Sequence, residues 1–205
     1  MIDKLIDIAK GEIGISEPFG DDKYISYYNG RYGTKFSKNV PWCAIFVTWC
    51  KSLAGIDEKI IPHFASCDAG MKWFKNKDLW QKSKGYKGKY IPKKGDIIFF
   101  SSKYTENDST HVGIVVGVSG ESVITVEGNA SDKVLSRSYS QSSAYIIGYG
   151  TPKYDKYETY IVKKGDSLWE IAEKKLGNGR EYTRIMELNN LKDTVIFPGQ
   201  RINIP

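Results

Sequence analysis

The sequence predicts an α+β chain of two unequal domains, and three patterns predict it. A helix-length, almost wholly apolar segment spans residues 42–54. Alternating apolar residues surround a tight "SGES" turn at Ser119–Ser122, the signature of a β-hairpin. After a polar stretch broken by Pro152, "YGTPKYDKYETY", a separate strand–helix–helix–strand pattern begins. The boundaries read as residues 1–150, a linker at 151–157, and a small domain at 158–205. A chain of 205 residues can bury one medium core and one small one.

In the first domain, Ile2, Leu5, Ile6 and Ala9 recur at helical spacing, so residues 2–12 form an amphipathic helix rather than the unbroken apolar run of a signal peptide. Residues 42–54 form a second helix, with Pro41 just ahead of Trp42 and Gly55 as its terminator. Thr48, Lys51 and Ser52 are its one polar stripe, so the helix is mostly buried. "PKKGDIIFF" reads as a turn at Gly95–Asp96 into a core strand. "HVGIVVGV" and "VITVEGNAS" form the hairpin, and Gly113 and Gly117 within it signal close approach by another element. The longest apolar runs, Ala44–Val47 and Ile97–Phe100, are far too short to span a bilayer, so no stable membrane insertion is expected.

In the second domain, "YIV" is a strand and Gly165 a turn. Asp166 or Ser167 caps the next helix, with Glu170 placed to complete a capping box. Ile171, Ala172 and Lys175 repeat at helical spacing with Leu168 and Leu176, and Gly177 and Gly179 end the helix. A second helix runs from about Glu181 to Leu188 with Ile185 and Leu188 inward. Ile202 and Ile204 alternate in a closing strand.

The net charge of +6 is spread along the chain, without the dense basic cluster that nucleic acid requires. It suits an anionic surface, or mere solubility. The chain has three cysteines and two histidines. Neither Cys-x-x-Cys nor His-x-x-x-His spacing occurs, so no metal and no cofactor is expected. Cys43 and Cys50 lie on one helix face, about 10.5 Å apart at ~1.5 Å per residue, too far for a disulfide. Cys50 and Cys67 read as core. Cys43 stands in a helical first turn, where free amides and the positive end of the dipole favour a thiolate. Such a nucleophile needs a base. His63 lies in a loop after Pro62, whereas His111 opens a rigid strand. Hairpin pairing brings Glu127 and Asn129 toward His111, and either is suited to orient the imidazole.

"PWCAIFVTWC", "KKGDIIFF", "HVGIVVGV", "VITVEGNAS" and "IIGYG" together resemble a CHAP domain, a papain-like cysteine peptidase and amidase family, over about residues 1–150. The resemblance implies Cys43 as nucleophile, His111 as general base, Glu127 as the orienting group and Asn129 as a further polar residue. It implies helices packed on a twisted antiparallel sheet. Some members bind calcium before the cysteine; here only Asp21 and Asp22 offer carboxylates, and the fuller acidic pattern is missing. "YIVKKGDSLWEIA", "IMELNNL" and "IFPGQRINIP" resemble a LysM domain. That resemblance implies binding of N-acetylglucosamine-containing glycan between Gly165, Asp166, Ser167 and Leu168 on one loop and Asn190, Leu191 and Ile196 on another. Trp42 and Tyr149 are expected either along the catalytic groove or in the core.

The combination looks like a peptidoglycan hydrolase of the phage endolysin kind, acting on cell-wall peptidoglycan. The expected activity is N-acetylmuramoyl-L-alanine amidase, with D,L-endopeptidase and a non-catalytic wall-binding protein as alternatives. Without a signal peptide it is expected to be made in the host cytoplasm, as a monomer, and to reach the wall after release. An NlpC/P60-type site would follow His111 with a second histidine, where Glu127 and Asn129 stand instead. Chitin cleavage would need paired carboxylates acting on a glycosidic bond.

Overall fold

A computed structural model describes residues 1–16, 23–154 and 157–205. Asp21 and Asp22 lie outside the described residues. The chain forms two compact units that divide after Tyr154.

In the first unit, four helices, α1 (Ile2–Gly11), α2 (Lys23–Tyr32), α3 (Cys43–Leu53) and α4 (Cys67–Asn76), precede the sheet. Six antiparallel strands follow: β1 (Trp80–Lys82), β2 (Ile97–Phe100), β3 (His111–Ser119), β4 (Ser122–Glu127), β5 (Leu135–Ser140) and β6 (Ile146–Gly150), in the order β1-β6-β2-β3-β4-β5. Strand alternation divides the apolar residues between two cores. Ile97, Phe99, Val112, Ile114 and Val126 face the helices. Ile98, Phe100, Val115, Val123 and Tyr149 pack with Tyr90, Tyr139 and Tyr145 on the other side. This is the predicted α+β architecture, helices layered on an antiparallel sheet.

α3 is buried along nearly its whole length and packs on β3 and β4. Two residues of its polar stripe, Thr48 and Lys51, are buried as well, and Ser52 is half-buried. Thr48 accepts from the Phe64 amide and donates to the Phe64 carbonyl, both at 2.9 Å, and Lys51 reaches Glu58 at 3.4 Å. Such pairing is what lets polar groups enter a core. Gly128, just beyond β4, admits α3 closely. A Cβ there would stand 2.5 Å from Phe46 Cβ and 2.7 Å from the Trp42 ring. The start of α3 is therefore pressed against the end of the hairpin.

The chain stays docked on the first unit through Tyr154, whose hydroxyl donates to the Gly95 carbonyl at 2.6 Å, while the Thr151 amide bonds Leu79 at 2.8 Å. The second unit pairs β7 (Glu158–Ile161) with β8 (Arg201–Ile204) around α5 (Leu168–Leu176) and α6 (Tyr182–Leu188). The capping box of Ser167 and Glu170 forms as its spacing requires, and Gly177 takes the left-handed C-terminal position. Ile185 is buried in its core, whereas Leu188 is only half-buried. Among the described residues, no helix is long and apolar enough to cross a membrane.

Candidate active site

Cys43 is the first residue of α3, and its N-cap, Trp42, supplies no side-chain cap. The first-turn amides are therefore available to the thiol and to the space in front of it. The Cys43 sulfur contacts the Cys67 sulfur at 3.5 Å. The Ala44 amide and the His111 imidazole lie close enough to stabilise its charge.

His111 is held by hairpin register. Ile114 pairs with Val126, which places Gly113 across from Glu127. His111 and Gly113 point to the same face of β3, two residues apart. The Glu127 side chain lies over Gly113 and meets His111 Nε2 at 3.0 Å. The other ring nitrogen, Nδ1, is left for Cys43. Gly113 thus has the close-approach role its sequence position suggested. Gly117 does not: a Cβ there would make only ordinary contact, 3.6 Å from Ile124, and the residue adjoins a register shift in the strand pairing.

Glu127 is fully buried. Its Oε2 also accepts from the Tyr139 hydroxyl at 3.2 Å, and its Oε1 accepts from Thr125 Oγ1 at 2.5 Å. Two hydroxyls, from Thr125 on β4 and Tyr139 on β5, therefore fix the carboxylate against the imidazole on β3. Asn129 is half-buried in a left-handed bend with φ 53° and makes no hydrogen bond to the imidazole among the described residues. Of the two residues suited to orient His111, Glu127 is the one in contact.

The electrostatics follow. The hydrogen bond with Cys67, opposed by burial and joined by His111 and the Ala44 amide, holds the Cys43 thiol well below its ordinary range. Burial pulls His111 down, but its hydrogen bonds to Cys43 and Glu127 prevail and lift it to about 9. A thiolate on Cys43 and an imidazolium on His111 each favour the other. Cys50, fully buried on the same helix, is pushed up by burial and stays an inert thiol.

Cys43 and Cys67 line a cavity of about 250 Å³ walled by Phe36, Pro41, Ser109 and Thr110. Trp42 is not on that wall, which corrects its groove placement. It is 5% exposed and stacks on Tyr24 at 5.0 Å, because α2 covers this side of α3. Tyr149 is likewise buried in the aromatic core behind the sheet. His63 stacks on Tyr32 at 4.2 Å and pairs with Glu58, away from Cys43. Cys67 is buried in the core as its reading had it; its contact with the Cys43 sulfur is what sequence reasoning missed. Ser66 was the available signal, an N-cap whose oxygen accepts from the Ala69 amide and starts α4 at Cys67.

Gly113→Ala tests the carboxylate's seat. The new Cβ would stand 2.6 Å from Glu127 Cγ. Overpacking of this kind costs about 1–3 kcal/mol. Urea unfolding is expected to show that loss, and any activity of the site should fall with it. A variant unchanged in both would show that Glu127 is not confined there.

In the second unit, Gly165 has φ 91°, Asp166 Oδ2 accepts from the Lys163 amide at 2.7 Å and the Tyr160 hydroxyl at 2.8 Å, and Ser167 caps α5. Leu168 is 2% exposed, so its side chain belongs to the core rather than to a ligand surface. Asn190 is exposed with φ 52°, and Leu191 and Ile196 are half-buried against the same core. A depression of about 440 Å³ beside Gly165 and Asp166 is also lined by Trp169, which the sequence reading omitted and which is 49% exposed.

Among the described residues, no group of three or more His, Cys, Asp or Glu side chains is arranged to hold a metal ion.

Residues 35–129 match the CHAP domain and residues 160–205 the LysM domain. The chain is 40% identical over 73 residues to N-acetylmuramoyl-L-alanine amidase sle1 of Staphylococcus epidermidis, covering 36% of this chain and 20% of that protein. It is 48% identical over 44 residues to a probable N-acetylmuramidase of Lactococcus lactis, 22% of this chain and 9% of that protein. The chain thus spans about a fifth or less of the length of these curated relatives. The crystal structure of Ly7917 is similar at 15% identity and a TM-score of 0.45, over 79% of this chain and 66% of that one.

Proposed function

Since the chain joins a CHAP domain to a LysM domain, we propose that it hydrolyses peptidoglycan, cutting an amide at or in the stem peptide with Cys43 as nucleophile. The observation that carries this reading is a cysteine lining a cavity, coupled electrostatically to His111, whose Nε2 meets the buried Glu127 carboxylate at 3.0 Å. The Cys43 thiolate attacks the amide carbonyl. The resulting oxyanion is held by free amides at the start of α3. Protonated His111 delivers its proton to the departing amine, and His111 then activates the water that releases the acyl group from sulfur. Glu127 keeps Nε2 protonated and Nδ1 toward the sulfur. The second unit holds glycan, with Trp169 and the backbone of the Gly165 turn facing sugar, since Asp166 and Ser167 are engaged in the turn and cap. Carriage of both units in one chain raises the local concentration of substrate.

The relative named as an N-acetylmuramoyl-L-alanine amidase favours cleavage between muramic acid and L-alanine. Purified peptidoglycan digested with the protein should yield stem peptides with a free L-alanine amino terminus, read by mass spectrometry. A new terminus within the stem would make the enzyme an endopeptidase. No soluble fragment at all would remove the hydrolase reading.

A further inference from the structure

Two thiols meet at this site, each the first residue of a helix. Cys43 opens α3 and Cys67 opens α4, with 3.5 Å between their sulfurs. Both line the same cavity. We infer that Cys67 is a positioning residue for the nucleophile: its S–H donates a hydrogen bond to the Cys43 sulfur and holds that sulfur as an anion beside the cavity. The inference rests on the reading of Cys43 as nucleophile.

The direction of the bond follows from the neighbours. Cys43 has a base, His111, to take its proton, and Cys67 has none: the adjacent carboxylate of Asp68 accepts from the Ser109 amide at 2.7 Å. The charged and titratable groups around the pair are His111 on β3, Glu127 behind it on β4, Asp68 on α4 and Tyr145 just before β6. Of these only His111 favours an anion at Cys43. Glu127 and Asp68 oppose it, and a tyrosine offers no charge until it ionises. A neutral donor close to the sulfur offsets that opposition. Cys67 is fit for this because the hydrogen bond with Cys43 and burial push its own ionisation upward, so it keeps its proton while Cys43 loses one. The first-turn amides hold the sulfur from its own helix, and Cys67 holds it from the next.

The experiment reads the alkylation of Cys43 by iodoacetamide against pH, followed by mass spectrometry on the peptide carrying Cys43. It uses the full chain and no wall substrate, so its outcome is separate from whether peptidoglycan is cut. Cys67→Ala removes the donor. The midpoint of thiolate formation is expected to rise by about one pH unit, which lowers the alkylation rate on the acid limb about tenfold. Cys67→Ser keeps a donor and is expected to retain the wild-type midpoint or fall below it. An Ala variant that folds, by circular dichroism, with an unchanged midpoint overturns the inference. So does a Ser variant whose midpoint rises, a reading that stands even where the Ala variant does not fold.

Discussion

Cys43→Ala is expected to abolish wall digestion, lowering the release of soluble muropeptides by at least about a thousandfold, the usual scale for loss of a covalent nucleophile. The residual rate would come from the oxyanion site and from substrate binding alone. The size of the effect follows from the surroundings. Neither remaining cysteine can substitute: Cys50 is fully buried, and Cys67 has neither the imidazole contact nor a lowered ionisation. Water activated by His111 would have to attack from a cavity whose geometry is built around sulfur. The variant loses one buried heavy atom, so the fold should survive and sedimentation with insoluble wall through the second unit should be unchanged. Digestion within tenfold of wild type would show that Cys43 is not the nucleophile, whatever the wall-binding result.

The parts of this site set by local chemistry were legible in the sequence. A cysteine in the first turn of an apolar helix, a histidine opening a strand, and a carboxylate near the end of the next strand are all fixed by helix capping and hairpin register. Gly113 signalled a close approach, though not that Glu127 makes it, and the same signal at Gly117 had no counterpart. The parts set by which elements meet were not legible. Cys67 reads as core and is core, but its contact with Cys43 depends on two helix starts converging, and the pattern of α4 does not say where its N-terminus points. Trp42 was open between groove and core because an aromatic beside a nucleophile fits either role, and only Tyr24 on α2 decides that it is core. The burial of Thr48 was not legible either, since its partner, the Phe64 backbone, comes from a distant segment. In the small domain the capping box and inner face of α5 were readable, being local. Leu168 was assigned to a ligand loop although the same helical spacing makes it a core residue.

Glu127→Gln is expected to lower the rate of amide cleavage by about 10² to 10⁴ while leaving the shape of the site nearly intact. The carboxylate acts on the reaction through the imidazole, by charge and by choice of tautomer. In the wild type, burial lowers His111 and the hydrogen bonds to Cys43 and Glu127 carry it back up to about 9. The protonated imidazole that expels the amine therefore persists to that pH, and the alkaline limb of the rate profile should lie near it. The acid limb belongs to Cys43, whose thiolate must form, and lies well below the ordinary thiol range. An amide at position 127 removes the negative charge, so the imidazolium loses one of the partners that favour it. The folded-state value falls, and the alkaline limb moves to lower pH. If the amide nitrogen faces the ring, it also meets Nε2–H donor to donor. The imidazole then does better with its hydrogen on Nδ1, facing the sulfur, where it can no longer accept the thiol proton. A residue that only fills space would lower the rate without moving the limb, so the shift separates the two roles. A Gln variant with wild-type rate and an unmoved alkaline limb would leave Glu127 as packing, and the orientation of His111 would have to come from elsewhere.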